Sequence, residues 1–293
     1  MRASSQQSPR RAISIICGVI LLGAGCSSGA GHTTTAPSAT PAAAAPATTT
    51  ARPAAVLGPL HKSSEQAISA VYAQGVAHIP NGWIFSGTNS LWRTDNALKE
   101  VESANPAIPA EWSARGFNHI GDIDVIGKYI YAPLEQPDYA KGIQATARFD
   151  RDTLRFVDAV TLPQHENSFV TIDPDTQTAY SMDHFDGNTI LRYDVAQNWR
   201  RLPSLRLSTT LHHTQGADIL KGVIWISTSD ARNDLYGVDL RTGKVRANGS
   251  MGHTGGQGEG EGLDATALAS GFVHPLCIDP KINPVWLEHF ALA

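Results

Sequence analysis

Short runs of hydrophobic residues, separated by polar turns, recur along most of the chain from about residue 57 onward. One run at the start of each unit carries a Gly or a Ser, and two or three further runs rich in Val, Ile, Tyr, Phe and Trp follow it. Such runs, broken by Gly, Asn and Pro, predict antiparallel strands joined by tight turns. The markers of the five units are Gly75, Gly121, Ser168, Gly216 and Gly262, at intervals of 46, 47, 48 and 46 residues.

A repeat of this length predicts an all-β fold, a single β-propeller with five blades of four antiparallel strands. The second copy contains all four strands, at His119–Ile126, Lys128–Glu135, Thr146–Asp150 and Phe156–Leu162. The fifth copy has only three strands before the chain ends. Because an open sheet edge is a liability, we expect the run near 56–70 to supply its fourth strand. Six blades is the alternative, if that run forms a blade of its own.

Two local patterns add to this prediction. Residues 97–102 (Ala-Leu-Lys-Glu-Val-Glu) favour a helix by composition, within an insertion that spans 96–115. An Asp at the end of a strand accepts backbone N–H groups in a tight turn, so Asp residues that recur there are interpreted as structural. Four copies carry one at the end of their third strand: Asp95, Asp150, Asp194 and Asp239.

The first 26 residues predict a targeting segment. A basic start precedes an apolar run at 12–25, which is too short to span a bilayer. Small residues precede Cys26 in a pattern that resembles a bacterial lipobox, which implies that lipid is attached to Cys26. Residues 27–56 consist almost wholly of Ser, Gly, Thr, Ala and Pro and predict a flexible tether. The propeller then occupies 57–293, outside the cytoplasmic membrane and held by lipid, with secretion as the alternative.

The composition of this propeller region limits its partners. It holds all 27 acidic residues and 19 of the 23 basic ones, which gives a net charge near −8. An acidic surface disfavours nucleic acid and anionic lipid. We therefore expect no nucleic-acid partner, a membrane contact through the lipid anchor only, and a monomer. Cys277 stands alone in the region, so an internal disulfide is excluded, and its apolar neighbours predict a buried structural thiol.

The first strand of each blade lines the central channel of a propeller, so polar residues near the five markers are candidate site residues. Strand alternation decides which of them point inward, and the sequence leaves that parity open. In one interpretation they bind a small ligand, and in the other they only brace neighbouring blades. The candidate ligand-binding residues are His119, Asp122, His165, Glu166, His213, Gln215, Asp218, Glu259, Glu261 and Asp264.

Three of these residues, His165, His213 and Glu259, lie at the same place in their copies, three residues before the marker. They are the candidate metal ligands. An oxygen-rich set favours Ca²⁺ or Mg²⁺, whereas added His favours a transition metal. The same groups are also suited to acid and base catalysis.

The blade motifs resemble those of secreted bacterial β-propeller repeat proteins. The inner-strand starts Gln215-Gly-Ala-Asp and Gly260-Glu-Gly-Leu-Asp are similar to those of glutamine cyclotransferase-like five-bladed propellers and of YVTN-type propellers. The tether after the lipobox is similar in composition to that of actinobacterial lipoproteins. The resemblance implies the fold, and it transfers no catalytic residue to this chain.

Two classes of function are consistent with these patterns. The first is a binding module that recognises a small ligand, a peptide or an envelope component at the channel mouth. The second is an extracytoplasmic enzyme, either a hydrolase of the lactonase or esterase type or a cyclotransferase-like enzyme, which uses channel carboxylates and His with or without a divalent cation. The propeller region, residues 57–293, contains no Gly-x-Ser-x-Gly nucleophile motif, which favours the binding module.

Overall fold

The computed structural model describes residues 57–253, 258–279 and 285–293. These residues form five antiparallel sheets arranged as the blades of a propeller, so the predicted fold is confirmed. The targeting segment, Cys26 and the tether predicted for 1–56 lie outside the described residues. Within the described part of the chain, no helix has both the length and the apolar character needed to cross a membrane.

The structure is built almost entirely from strands. A short helix, α1 (Ala110–Ser113), and one 3-10 turn, Tyr139–Lys141, lie in connections. The strands in chain order are β1 (Leu60–Ile68), β2 (Gly75–Ile79), β3 (Gly82–Gly87), β4 (Ser90–Thr94), β5 (Glu100–Ala104), β6 (His119–Ile120), β7 (Asp124–Ile126), β8 (Tyr129–Glu135), β9 (Gln144–Asp150), β10 (Phe156–Leu162), β11 (Thr171–Asp173), β12 (Thr178–Ser181), β13 (Asp186–Asp194), β14 (Arg200–His212), β15 (Thr214–Leu220), β16 (Val223–Thr228), β17 (Asp234–Asp239), β18 (Val245–Ser250), β19 (Glu259–Asp264), β20 (His274–Ile278) and β21 (Val285–Leu292).

The ring closes through the N-terminal strand. Blades 1 to 4 follow the chain, as β2–β5, β6–β10, β11–β14 and β15–β18, whereas blade 5 has the order β19-β20-β21-β1. Strand β1 pairs antiparallel with β21, from Leu60 opposite Leu292 to Ile68 opposite Val285. The prediction that the run near 56–70 completes the last blade is therefore confirmed, and the alternative of six blades is wrong.

Burial within a blade follows the strand position. The second strands β3 and β16 are buried along their whole length, whereas the outermost strands β1 and β5 are mostly exposed. Blades pack face to face, so a middle strand is covered on both sides and most of its side chains are hydrophobic. Cys277 lies in this inter-blade core as a buried free thiol, and burial raises its pKa to about 12. The interpretation of Cys277 as a structural residue is confirmed.

Two of the local predictions have opposite outcomes. The helix predicted at 97–102 is wrong, because this segment makes a turn and then forms the start of β5. Pairing with β4 completes the blade, and this tertiary gain outweighs a weak helix propensity. The structural role of the four strand-ending Asp residues is confirmed. Asp150 Oδ1, for example, accepts N–H groups from Asp152 and Thr153.

Asp122 connects the blades at the propeller axis. Its Oδ1 accepts the N–H of Val76 (3.1 Å), and its Oδ2 accepts those of Ala217 (2.9 Å) and Leu263 (3.2 Å). Its own N–H donates to the carbonyl of Ser168 (2.8 Å). One residue of blade 2 is therefore bonded to the inner strands of blades 1, 3, 4 and 5.

Three of the markers, Gly75, Gly216 and Gly262, are glycines because the inner strands pack closely against Asp122 and leave no space for a side chain. A Cβ on Gly262 would lie 2.5 Å from Asp122 Oδ1, and one on Gly216 would lie 2.6 Å from the Cα of Gly262. In blades 2 and 3 the equivalent positions are Asp122 and Phe169, which form a parallel bridge. The predicted markers Gly121 and Ser168 are therefore one residue early, and the structural intervals are 47, 47, 47 and 46 residues.

Replacement of this central carboxylate is expected to destabilise the whole ring. Asp122→Asn leaves one acceptor oxygen and places an NH₂ group against backbone N–H donors. A buried donor without its acceptor costs roughly 1–3 kcal/mol, so we expect the free energy of unfolding to fall by about 3 kcal/mol in urea denaturation. Asp158→Asn, at an exposed pair with Arg148, is the control, with an expected loss below about 1 kcal/mol. Equal stability of the two variants would contradict the role of Asp122.

Candidate functional site

Asp122 divides the central channel into two pockets. The upper pocket has a volume of about 270 Å³, and the lower pocket, at the other end of the axis, has a volume of about 160 Å³. The upper pocket is lined by Gln74, His119, Gly121, Asp122, Glu135, Tyr139, Ser168, His184, Phe185, Gln215, Glu259 and Glu261.

The corrected register explains which inner-strand residues reach the upper pocket. Counted from the structural markers, the residue one place before the marker lines this pocket in all five blades. These residues are Gln74, Gly121, Ser168, Gln215 and Glu261. The pocket therefore has a ring of equivalent positions directly above Asp122, and one of them carries a carboxylate.

The upper pocket is acidic. Four of its lining residues carry carboxyl groups: Asp122, Glu135, Glu259 and Glu261. None of the described lining residues is Lys or Arg. A narrow cleft lined by charges of one sign concentrates the field and attracts ligands of the opposite sign, so this geometry selects cations.

Hydrogen bonds fix the polar side chains on one wall of the upper pocket. His119 Nε2 lies 2.5 Å from Gln74 Oε1, and His119 Nδ1 lies 3.1 Å from Glu135 Oε2. Glu135 Oε1 in turn accepts the N–H of Asn167 (2.6 Å). This wall is therefore shared by blades 1, 2 and 3, and both carboxylate oxygens of Glu135 are engaged.

Glu259 and Glu261 on the opposite wall differ in their surroundings. Glu259 is exposed, and its Oε1 accepts a hydrogen bond from the side-chain amide of Gln215 (3.0 Å). Glu261 is buried, and its carboxyl group makes no hydrogen bond or ion pair with any residue that the structure describes. Burial, followed by repulsion from Glu259 and Asp122, holds the pKa of Glu261 well above its usual value. A buried carboxyl without a partner is costly to the fold.

Aromatic side chains frame the mouth of the upper pocket. Phe185 is 50% exposed although it is a large apolar residue. The ring centroids of His184 and Phe185 are 4.8 Å apart, and those of Phe185 and His213 are 5.8 Å apart. Tyr139 also lines this pocket, and burial raises the pKa of its phenol. The mouth therefore offers apolar contacts above an acidic floor.

The structure brings half of the ten candidate residues together. His119, Asp122, Gln215, Glu259 and Glu261 all line the upper pocket. Asp218 and Asp264 line the lower pocket instead.

The remaining candidates lie around the pocket rather than in its lining. Glu166 is buried, and its Oε2 accepts the N–H of Phe185 (3.1 Å). His165 is exposed, and its Nδ1 lies 3.0 Å from the carbonyl of Tyr139. His213 is exposed and lines a separate surface pocket. The candidate metal ligands His165, His213 and Glu259 do not come together as a ligand group within the described residues.

Seven lining residues were not among the candidates: Gln74, Gly121 and Ser168, at or beside the predicted markers, and a second group of four, Glu135, Tyr139, His184 and Phe185. All four lie outside the first strands, in β8 or in connections between strands. The marker spacing concerns only the inner strands, so it carries no signal for these positions. Only the folded structure shows that these charged and aromatic side chains line one pocket.

The lower pocket contains three buried carboxyl groups that brace neighbouring blades. Each accepts a backbone N–H from the next blade around the ring: Asp124 from Ile172 (2.7 Å), Asp218 from Ala265 (2.8 Å) and Asp264 from His78 (2.8 Å). Burial raises the pKa of Asp124, Asp218 and Asp264, and repulsion from Asp218 adds to the effect at Asp124 and Asp264. Since these groups are saturated by the backbone, this end of the channel is interpreted as structural.

The fold defines a five-bladed β-propeller with an acidic pocket at one end of its channel. Among solved structures, it is similar to the Myxococcus xanthus glutaminyl cyclase, with a TM-score of 0.59 and 10% sequence identity over 80% of this chain and 97% of that chain. A luciferin-regenerating enzyme matches with a TM-score of 0.48 and 10% identity, over 74% of this chain and 76% of that one. At such identities the likeness shows the fold alone. No family model and no curated protein matches the sequence.

The lower pocket predicts how stability depends on pH. Burial raises the pKa of Asp264 to about 7, above its usual value of about 4 in the unfolded chain. The unfolded chain therefore releases this proton first, and stability should fall as pH rises from about 4 to about 7. The expected slope is up to about 1.4 kcal/mol per pH unit.

The measurement is the free energy of unfolding in urea at several pH values, compared between the wild type and Asp264→Asn. We expect the variant to lose much of the negative slope, because Asn does not titrate in this range. The two proteins are compared by the slope of the unfolding free energy against pH. The absolute stability is unsuitable, because the variant also loses a hydrogen-bond acceptor at every pH. Equal slopes in the two proteins would contradict the raised pKa.

Proposed function

We propose that the upper pocket binds a small organic ammonium ion, such as the free amino terminus of a peptide. The observation that carries this proposal is the buried, unpartnered carboxyl of Glu261, beside Glu259 and above Asp122, in a pocket without Lys or Arg among its described lining residues. A buried carboxylate is stabilised by a cation that also donates hydrogen bonds. Binding of an ammonium group would therefore satisfy the one acidic group of the pocket that the fold leaves without a partner.

The spacing of the carboxylates favours an ammonium ion over a metal. No three His, Cys, Asp or Glu ligand atoms of the described upper-pocket residues lie within 4.8 Å of one another. A transition metal needs several ligands of these types, whereas an ammonium group can also donate to amide and carbonyl oxygens beside a carboxylate. Tyr139 and Phe185 at the mouth would contact the organic part of the ligand and offer ring faces to its charge.

The size of the pocket also limits the ligand. A volume of about 270 Å³ is near the lower end of the range for ligand pockets. It suits a single amino-acid residue rather than a long chain, whose continuation would leave past Phe185. The proposal therefore agrees with the binding function favoured from the sequence, a small ligand or peptide at the channel mouth.

Isothermal titration calorimetry with glycinamide tests this proposal, and N-acetylglycinamide serves as the uncharged ligand control. We expect glycinamide to bind and its acetylated form not to bind. Glu261→Gln should weaken binding by at least about tenfold, because one charge-assisted hydrogen bond contributes roughly 1.5–3 kcal/mol.

Glu111→Gln, at an exposed residue of α1, is the control variant and should bind like the wild type. Equal affinity for the charged and acetylated ligands would contradict cation recognition. So would a Glu261→Gln variant that binds glycinamide as tightly as the wild type.

A second candidate function is cyclisation of an N-terminal glutaminyl residue. The different surroundings of Glu259 and Glu261 favour it, since an exposed carboxyl beside a buried one can divide the roles of base and acid. In this reaction the α-amine attacks the side-chain amide carbon and forms the lactam C–N bond. The bond to the amide nitrogen breaks, and that nitrogen takes up a proton and leaves as ammonia.

Ammonia release from a peptide that begins with Gln tests this second candidate. An enzyme would release one ammonia for each lactam formed, and Glu261→Gln would reduce the rate by at least about a hundredfold, within the range of general acid–base catalysis. A protein that binds glycinamide but releases no ammonia is a binding module. The two assays therefore separate the two candidates.

A further inference from the structure

The strand pair that closes the ring contains two facing acids. Glu65 of β1 lies directly opposite Glu288 of β21. Like charges at directly opposed positions of neighbouring strands are destabilising. Glu288 is fully buried, and neither of its carboxylate oxygens accepts a hydrogen bond of regular geometry. A cation between the two side chains would relieve the repulsion of the ionised pair.

Lys62 supplies one such cation from the same strand. The pairing of β1 with β21 shifts between Lys62 and Ser64, and this bulge reverses the strand alternation so that Lys62 reaches the face that carries Glu65. Its Nζ lies 2.7 Å from Glu65 Oε2 and 3.0 Å from Glu288 Oε1. The Lys62 side chain is 29% exposed, so solvent is open to its ammonium group.

His253 points a ring nitrogen at the same two oxygens. Its Nε2 lies 3.2 Å from Glu65 Oε2 and 3.2 Å from Glu288 Oε1. The imidazole stacks on Trp286, with ring centroids 5.1 Å apart and an interplanar angle of 11°. Trp286 and Glu288 are two residues apart on β21, so they share one face of the strand. The stacked ring is thereby held over the acidic pair.

We propose that Glu65, His253 and Glu288 form a binding site for a divalent transition-metal ion such as Zn²⁺, and that Lys62 competes with the metal for the two carboxylates. The three ligand atoms lie within 4.8 Å of one another. Tetrahedral Zn²⁺ with bonds of about 2.0–2.2 Å places its ligands roughly 3.3 Å apart, close to the two nitrogen–oxygen distances of 3.2 Å. Imidazole with carboxylate is a ligand set suited to this class of metal.

The position of the site gives the metal a structural role. Its ligands come from β1 and β21 of blade 5 and from the segment that follows β18 of blade 4. A bound ion would therefore join the strand that closes the ring to the neighbouring blade. A divalent ion carries more charge than one ammonium group and would stabilise the ionised pair more strongly.

Titration of the full chain with ZnCl₂, after treatment with EDTA and dialysis, tests the site. We expect one Zn²⁺ to bind per chain by calorimetry and the melting temperature to rise by several degrees, since a ligand of the native state stabilises it. Glu65→Gln and His253→Ala should lose both effects. Their matched controls are Glu111→Gln and His61→Ala, two exposed positions, and both should retain them.

Removal of the competing lysine distinguishes a metal site from a simple ion-pair cluster. Lys62→Met should bind Zn²⁺ at least about tenfold more tightly than the wild type, because no ammonium has to leave the carboxylates. Glu65 is partly exposed, so Glu65→Gln should fold and report on the metal even if Lys62→Met does not. Absence of Zn²⁺ binding, or an affinity unchanged in Glu65→Gln and His253→Ala, would overturn the proposal.

Discussion

The hydrogen bonds of the Asp122 carboxylate are the interaction on which the rest of the propeller depends. Three backbone N–H groups from blades 1, 4 and 5 converge on its two oxygens, and its own N–H bonds to blade 3. Burial raises the pKa of this carboxyl, and the three N–H donors act against that effect. The axis has room for one such side chain because Gly75, Gly216 and Gly262 present only backbone around it.

This arrangement also creates two unlike ends of one channel. Below Asp122, the carboxyls of Asp124, Asp218 and Asp264 are used by the backbone of the next blade. Above it, Glu261 has the same kind of burial but no partner among the described residues. A fold that satisfies its other channel acids leaves this group unsatisfied, and departures of this kind concentrate at functional sites. The upper pocket is for this reason the part of the channel to which we assign ligand binding.

Much of the fold was predictable because the periodicity is carried by many residues, whereas the site depends on a register that few residues define. Blade number, ring closure by the N-terminal run and the turn role of Asp150 all followed from spacing and turn chemistry. Gly121 and Ser168 matched the small-residue pattern but sit one place before the true positions, at Asp122 and Phe169. Because of that offset, the spacing could not predict the ring of residues that faces the upper pocket. Glu135 and Phe185 lie outside the repeat positions, so no periodic signal could identify them.

A crystal structure of the protein grown with glycinamide is the most direct test of cation binding in the upper pocket. We expect the ammonium nitrogen to lie about 2.7–3.0 Å from carboxylate oxygens of Glu259 and Glu261, with the amide end directed toward Phe185. The Asp122 carboxylate should keep its three backbone donors beneath the ligand. A ligand bound in the lower pocket, or an upper pocket that holds only water at saturating glycinamide, would contradict cation binding in the upper pocket.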